Sequence, residues 1–386
     1  MTSDAPGAAP DPHRPAAEPR DQLADEVVLV TGFPGFRARA LVDLLAEREP
    51  RVHVWLVVPP SELEAAARAL AATRIPSARL RLIPGEPCAI DLGLSRQTYA
   101  ELCARVARWF ALYQTTDVRA SRELANRVNL GSAREIAELA KAAQNLAHVT
   151  FLSSAIVFGN HQGEATEEAL SVGQSFHSPA AESLARGEAL LQRRLAETPV
   201  SVVRTPQVLG ARGLALPVRA TGLHRLLALV SAAPGDSLPL PPGSGRLVQA
   251  LPADFVAQAL YAVSLFGMRG HAYHFADPEP PPLADVLEQA GAHFGKRLEP
   301  GAGALGRLLL NNPGFWLSQQ SARALSEWAE GPTLATRSGD RLLERAGLRA
   351  PTLLSYLGSV LQETELLERE RLLDGGPLAT PFEAIA

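Results

Sequence analysis

Cysteine is almost missing from this chain of 386 residues: only Cys88 and Cys103 occur, with no CxxC and no Cys/His spacing that could close a metal site. A disulfide framework and a zinc centre are both excluded on that ground, and the free thiols point to a reducing, cytoplasmic compartment. Excess positive charge is missing too. Lys and Arg number 37 against 41 Asp and Glu, a net charge of −4, so there is no basic field to attract nucleic acid. Lysine itself is reduced to Lys141 and Lys296, but arginine takes its place throughout, so this scarcity alone says nothing about function. No stretch approaches the ~18 uninterrupted apolar residues of a membrane span. The first residues, rich in Pro, Ala and acids, lack a basic segment followed by an apolar one, which rules out a secretory signal and reads as a disordered leader over 1–24.

What is present is a succession of short β-branched runs separated by Ala/Leu/Arg-rich helical stretches. The runs are VVLV at 27–30, VHVWLVV at 52–58, RLRLI at 79–83, RWFAL at 108–112, VTFLSS at 149–154, VSVVR at 200–204 and AYHFAD at 272–277. Continuous apolar strands between helices are what a parallel sheet covered on both faces requires. The expected fold is therefore α/β, a doubly wound parallel Rossmann-type sheet of about seven strands. Its nucleotide-binding domain covers 25–210, with a returning segment at about 246–280. Residues 211–245, including the Pro/Gly loop LPLPPGSG, and 281–386 are expected to build a mostly helical cap on the substrate side, with breaks at NNPGFW and EGPT.

The stretch VVLVTGFPGFRARALVDLLAE runs strand, tight turn, helix. Gly32 permits the turn, and Gly35 lets a pyrophosphate approach the backbone at a helix N-terminus, where N–H groups and the helix dipole favour an anion. Phe33, Pro34 and Phe36 complete that turn. Arg37 comes next, placed either to pair with a phosphate or to extend outward, and Ala38 stands where a third glycine is common. A GxxG alone also serves simply to close a strand onto a helix.

The segments LVTGFPGF, RVNLGSAREIAELA, VTFLSSAIVFGNHQGEATEE, GQSFHSPAAESLARGEALL, VVRTPQVLG and LPADFVAQAL together resemble the extended short-chain dehydrogenase/reductases. The resemblance is greatest to the branch of fatty acyl-CoA reductases and carrier-protein thioester reductases, and it covers about 26–280. It implies NAD or NADP as cofactor, held by the turn at 32–37. It implies that Asn129 matches the family's Asn near the fourth helix and that Ser154 matches the substrate-orienting Ser. Where the family's Tyr-x-x-x-Lys belongs, this chain has Ala180 and Leu184. In that family the Tyr hydroxyl passes the proton, while the Lys one helical turn on lowers the Tyr pKa and holds the nicotinamide ribose; Ala and Leu do neither. None of Tyr99, Tyr113, Tyr261, Tyr273 and Tyr356 has a lysine four residues later, so the pair is not displaced elsewhere. His161 and His177 are the nearest substitute acids in sequence. Val58 ends the second strand where a ribose partner is usual, Tyr113 and Gln114 replace two alanines after the fourth strand, and Gly85-Glu86 replaces Gly-Asp after the third.

Three readings are open. The chain is a degenerate reductase-like protein acting by binding, as a homodimer or a heterodimer with an active relative. Or it is an NAD(P)H-dependent reductase of acyl thioesters or carbonyls with an atypical proton donor. Or it binds a nucleotide or acyl ligand without redox chemistry. Nucleic acid, metal and a membrane span are expected in none of them.

Overall fold

The computed structural model describes residues 26–369, apart from 72, 74, 195–197, 211–220, 234, 241–243 and 300–331. The expected leader and the NNPGFW break lie outside the described residues. Seven strands form one sheet: β1 (Val27–Thr31), β2 (His53–Val58), β3 (Leu80–Pro84), β4 (Val106–Ala111), β5 (His148–Ser154), β6 (Val200–Thr205) and β7 (Ala272–His274). They lie in the order β7-β6-β5-β4-β1-β2-β3. Every neighbouring pair is parallel, so all C-terminal ends share one edge. The order reverses between β1 and β4, the place where ligands enter such sheets.

Helices cover both faces because the strands are apolar on both. On one face α1 (Phe36–Arg48), α2 (Leu63–Leu70) and α7 (Ala253–Phe266) pack on Val28, Val30, Leu56, Phe110 and Val203. On the other, α3 (Arg96–Arg105), α4 (122–142) and α5 (Pro179–Arg193) pack on Leu29, Trp109, Val149, Phe151 and Val202. Each such side chain taken from water contributes about 1.5–3 kcal/mol, which is why charge is scarce in these strands. The exceptions are paired. Arg108 on β4 donates to Glu26 (2.8 Å) and Glu49 (2.8 Å) at the edge away from the site.

Among the described residues of the cap, α6 (Gly222–Ala232), α8 (Leu283–His293) and α10 (Leu353–Arg369) surround a separate apolar cluster that includes Leu223, Leu227, Val286 and Leu357. Short strand pairings accompany these helices. Gln207–Leu209 pairs with Ala250–Pro252, Ser237–Pro239 with Arg297–Glu299, and Glu164–Ala165 with Thr333–Leu334. These two- and three-residue pairings are long-range, and no local period announces them. Helix α9 (Arg337–Arg345) returns to the sheet beside β7. Among the described residues, no helix is long and apolar enough to cross a membrane, and no group of His, Cys, Asp and Glu could hold a metal ion.

Candidate functional site

The site lies on the C-terminal edge around the switch point. After β1 the backbone turns at Gly32, whose φ is +95°. A Cβ there would come within 2.7 Å of the Leu112 carbonyl carbon and 2.8 Å of its oxygen, so only glycine lets the turn sit directly on the end of β4. Gly35 N–H donates to Gly32 O at 2.9 Å to close the turn, and the Phe33–Pro34 peptide within it is cis. Gly35 is the N-cap of α1, with no side chain capping the helix. This end of the site retains what an anion needs: backbone amides and a positive dipole end. Phe33 and Phe36 are buried in the core beneath it.

Arg37, half-buried in the first turn of α1, reaches across to the end of β4. Gln114 is buried there, its amide oriented so that it donates to Leu152 O at 2.6 Å and accepts from Arg37 Nη1 at 3.1 Å. The guanidinium therefore ties the phosphate turn to the two strands beyond it. Tyr113, also buried, points toward the loop after β3 and donates its hydroxyl to Glu86 Oε1 at 2.6 Å. Cys88 Sγ donates to the same oxygen at 3.4 Å. Burial, and then the Cys88 and Glu86 charges, push the Tyr113 hydroxyl up, and burial with Glu86 pushes the Cys88 thiol up to about 12. Both are thus neutral donors to one carboxylate. Val58, at the end of β2, is fully buried and apolar. The strand ends after β2, β3 and β4 thus carry an apolar Val58, a closed Glu86–Tyr113 pair and the Gln114–Arg37 pair.

Beyond β5, Ser154 is half-buried, and its Oγ accepts from Ile156 N–H at 3.4 Å in the turn that follows the strand. Helix α4 carries a π-turn over Asn126–Leu130, which brings Asn129 inward. Its amide is fully engaged within the protein. Oδ1 accepts from Thr115 N–H at 2.9 Å, while Nδ2 donates to Thr115 O (3.0 Å), Ala180 O (3.2 Å) and Ser183 Oγ (2.9 Å). Asn129 thereby fastens α5 to the loop after β4. Ala180 and Leu184 are both 0% exposed, and Leu184 belongs to the apolar cluster that includes Ala133, Phe151 and Val157. All five tyrosines have their hydroxyls pushed up, in each case chiefly by burial. His177 is exposed and His161 half-buried.

Sequence reasoning missed the buried ionic network just behind Ser154. Ser153, Arg204 and His274 stand in register across β5, β6 and β7. Arg204 Nε donates to Glu188 Oε1 at 2.8 Å, and Ser153 Oγ donates to Glu188 Oε2 at 2.8 Å. Arg204 Nη1 donates to Glu167 O (3.1 Å) and to His274 Nε2 (2.9 Å), which leaves the imidazole proton on Nδ1. Burial first, and then Arg204, lower the His274 pKa to about 3. The Glu167 carboxylate accepts from the backbone amides of His274 (3.1 Å), Ser338 (2.7 Å) and Gly339 (2.8 Å), tying α9 to the sheet. Glu188 lies one helical turn beyond Leu184 and Arg204 at a strand end, and that pairing of charges in apolar segments was the available signal.

Against known families, residues 30–260 match the model described as male sterility protein, an NAD-binding family. The chain belongs to that family. No match was found among curated protein sequences. Solved structures share its fold. The terminal R domain from the myxalamid PKS-NRPS biosynthetic pathway superposes with a TM-score of 0.72 at 19% identity, covering 92% of this chain and 94% of that one. The reductase domain of a non-ribosomal peptide synthetase from Mycobacterium tuberculosis gives 0.67 at 20% identity, covering 93% and 94%. DesIV, a dTDP-glucose 4,6-dehydratase from Streptomyces venezuelae with NAD bound, gives 0.60 at 18% identity, covering 89% and 98%.

Proposed function

We propose that this male sterility family member is a catalytically impaired reductase that keeps the fold and works by binding, as a homodimer or by pairing with an active relative through α4 and α5. The observation that carries the reading is the burial of Ala180 and Leu184. They are not vacancies beside a cofactor but packed positions, and neither offers a proton or a ribose contact. A positioned general acid is worth about 10²–10⁴ in rate, and none of the five tyrosines stands in for it. The cofactor side agrees. NAD or NADP is what the family implies, and the turn at Gly32–Gly35 suits a pyrophosphate. The remaining residues fit a dinucleotide poorly: Val58 has nothing to offer a ribose, Asn129 is spent within the protein, and Tyr113 and Gln114 fill the room that alanines would leave. Ser154 is then a remnant. A cytoplasmic location belongs to the same reading.

Its test is hydride transfer. Purified protein is incubated with NADH or NADPH and a panel of acyl-CoA thioesters, aldehydes and sugar nucleotides, and absorbance at the reduced nicotinamide band is monitored. The expected rate is background for every combination. Turnover that disappears in Ser154→Ala would replace this reading with that of a working reductase using another proton donor.

A further inference from the structure

A second polar site lies in the cap, on the same sheet edge. Ser154 pairs with Thr205 across β5 and β6, and two residues beyond Thr205 comes Gln207. Gln207 Oε1 accepts from Leu223 N–H at 3.1 Å in the first turn of α6, while its Nε2 is buried without a hydrogen-bond partner. The next residue of α6 is His224, which is 0% exposed. Thr221 N–H donates to His224 Nδ1 at 3.1 Å, so the imidazole in its neutral form carries its proton on Nε2. That Nε2 lies 3.3 Å from Glu363 Oε2 of α10, but without hydrogen-bond geometry, and it too has no hydrogen-bond partner. Glu363 Oε1 completes the set as a buried acceptor with no hydrogen-bond partner. The carboxylate is pressed against the backbone at Gly210, where a Cβ would come within 2.6 Å of both its Cδ and its Oε2.

Buried polar groups nearly always find partners, yet Gln207, which meets the first turn of α6 at Leu223, His224, the next residue, and Glu363, which approaches His224 to 3.3 Å, each leave a buried polar atom without a hydrogen bond. We propose that Gln207, His224 and Glu363 form a binding site for a neutral carboxamide, a group that presents C=O beside N–H. Two N–H donors, Gln207 Nε2 and His224 Nε2, suit the carbonyl oxygen. Glu363 Oε1 takes the N–H. An anion is repelled by the Glu363 carboxylate, and a cation would face the two N–H donors. The site uses no residue of the dinucleotide turn, so it stands whether or not the chain transfers hydride.

The experiment is a titration of the full chain with butyramide, with butyrate and butylamine as charged analogues of the same length, reading imidazole ¹⁵N chemical shifts by NMR. His224→Gln identifies the resonance. The expected result is a saturable shift of the His224 Nε2 signal with butyramide and at least tenfold weaker response to the two charged analogues. Gln207→Leu and Glu363→Gln should each weaken the butyramide response at least fivefold, and circular dichroism checks that both stay folded. No saturable shift, equal responses to all three compounds, or a response unchanged in both variants would overturn the proposal. If one variant fails to fold, the other and the compound series still decide it. No dinucleotide is added, so this outcome is separate from that of the hydride-transfer assay.

Discussion

Introducing a Tyr-x-x-x-Lys pair by Ala180→Tyr with Leu184→Lys should cost stability and bring no hydride transfer. Ala180 and Leu184 are 0% exposed, so the new side chains must enter occupied space. A phenol added at a packed position costs about 1–3 kcal/mol, occasionally more, through displaced neighbours. Leu184 sits among Ala133, Phe151 and Val157, and an ammonium there loses its hydration, while Glu188, one helical turn on, is already engaged by Arg204 and Ser153. The effective penalty is several kcal/mol, or the amine gives up its proton and titrates far below its usual range. Together the two changes should remove about 5 kcal/mol, a large share of the ~5–15 kcal/mol that typically holds a domain folded. At about 2–4 °C per kcal/mol for a domain of 150–250 residues, Tm should fall by on the order of 10 °C. Thermal unfolding at pH 7 reads the first effect and NADPH oxidation the second. A double variant that keeps its Tm and gains turnover would refute the reasoning, because it would mean that positions 180 and 184 face an open cleft.

Three further outcomes rest on named contacts. Tyr113→Phe removes the 2.6 Å bond to Glu86 and should destabilise the chain by about 1–3 kcal/mol in urea unfolding, whereas an unchanged midpoint would mean that the bond contributes nothing. Glu188→Gln breaks the buried pair with Arg204 and leaves that guanidinium without its charge partner; a loss of about 3–5 kcal/mol is expected, and a loss under 1 would be incompatible with the network described. His148 and His274 are each lowered from 6.5 to about 3, His148 chiefly by burial with Arg269 and Arg108 nearby. A histidine with a depressed folded pKa contributes fully above its unfolded value, and that contribution is lost as pH falls from 6.5 toward 3. At pH 5 the loss is about 2 kcal/mol for each, at 1.36 kcal/mol per unit. His148→Gln should halve this slope, and a stability that stays flat between pH 7 and 5 would contradict both burials.

The sheet was legible because its signal is local. Val27–Thr31 and His53–Val58 are continuous apolar runs of the right length, and such runs bury both faces whatever surrounds them. The glycine turn was legible for the same reason, since Gly32 and Gly35 act through their own backbone. The seventh strand is expected over 272–277 and ends at His274; beyond it the Asp277 carboxylate accepts from Leu353 N–H at 2.6 Å. Contacts of that kind are set by residues far apart in sequence. The same applies to Glu86 with Tyr113, Glu188 with Arg204, and His224 with Glu363, whose partners no spacing rule links. Arg108 lay inside a strand read as apolar, and only the fold supplies Glu26 and Glu49 to neutralise it. For Asn129, the motif gave the position, but the bonds to Thr115, Ala180 and Ser183 are visible only when α4 and α5 are packed together.

The central claim, that the dinucleotide cleft no longer serves its cofactor, is tested most directly by calorimetric titration of the unaltered chain with NADPH and NADH. Each missing charged or bidentate contact costs on the order of 1.5–3 kcal/mol, and 1.4 kcal/mol is tenfold in affinity. The single favourable feature, the helix N-terminus, contributes about 0.3–1 kcal/mol per charge. The account predicts dissociation constants weaker than about 100 μM for both dinucleotides, little preference between them, and tighter binding in Tyr113→Ala. A low-micromolar constant for either dinucleotide in the unaltered chain would contradict it.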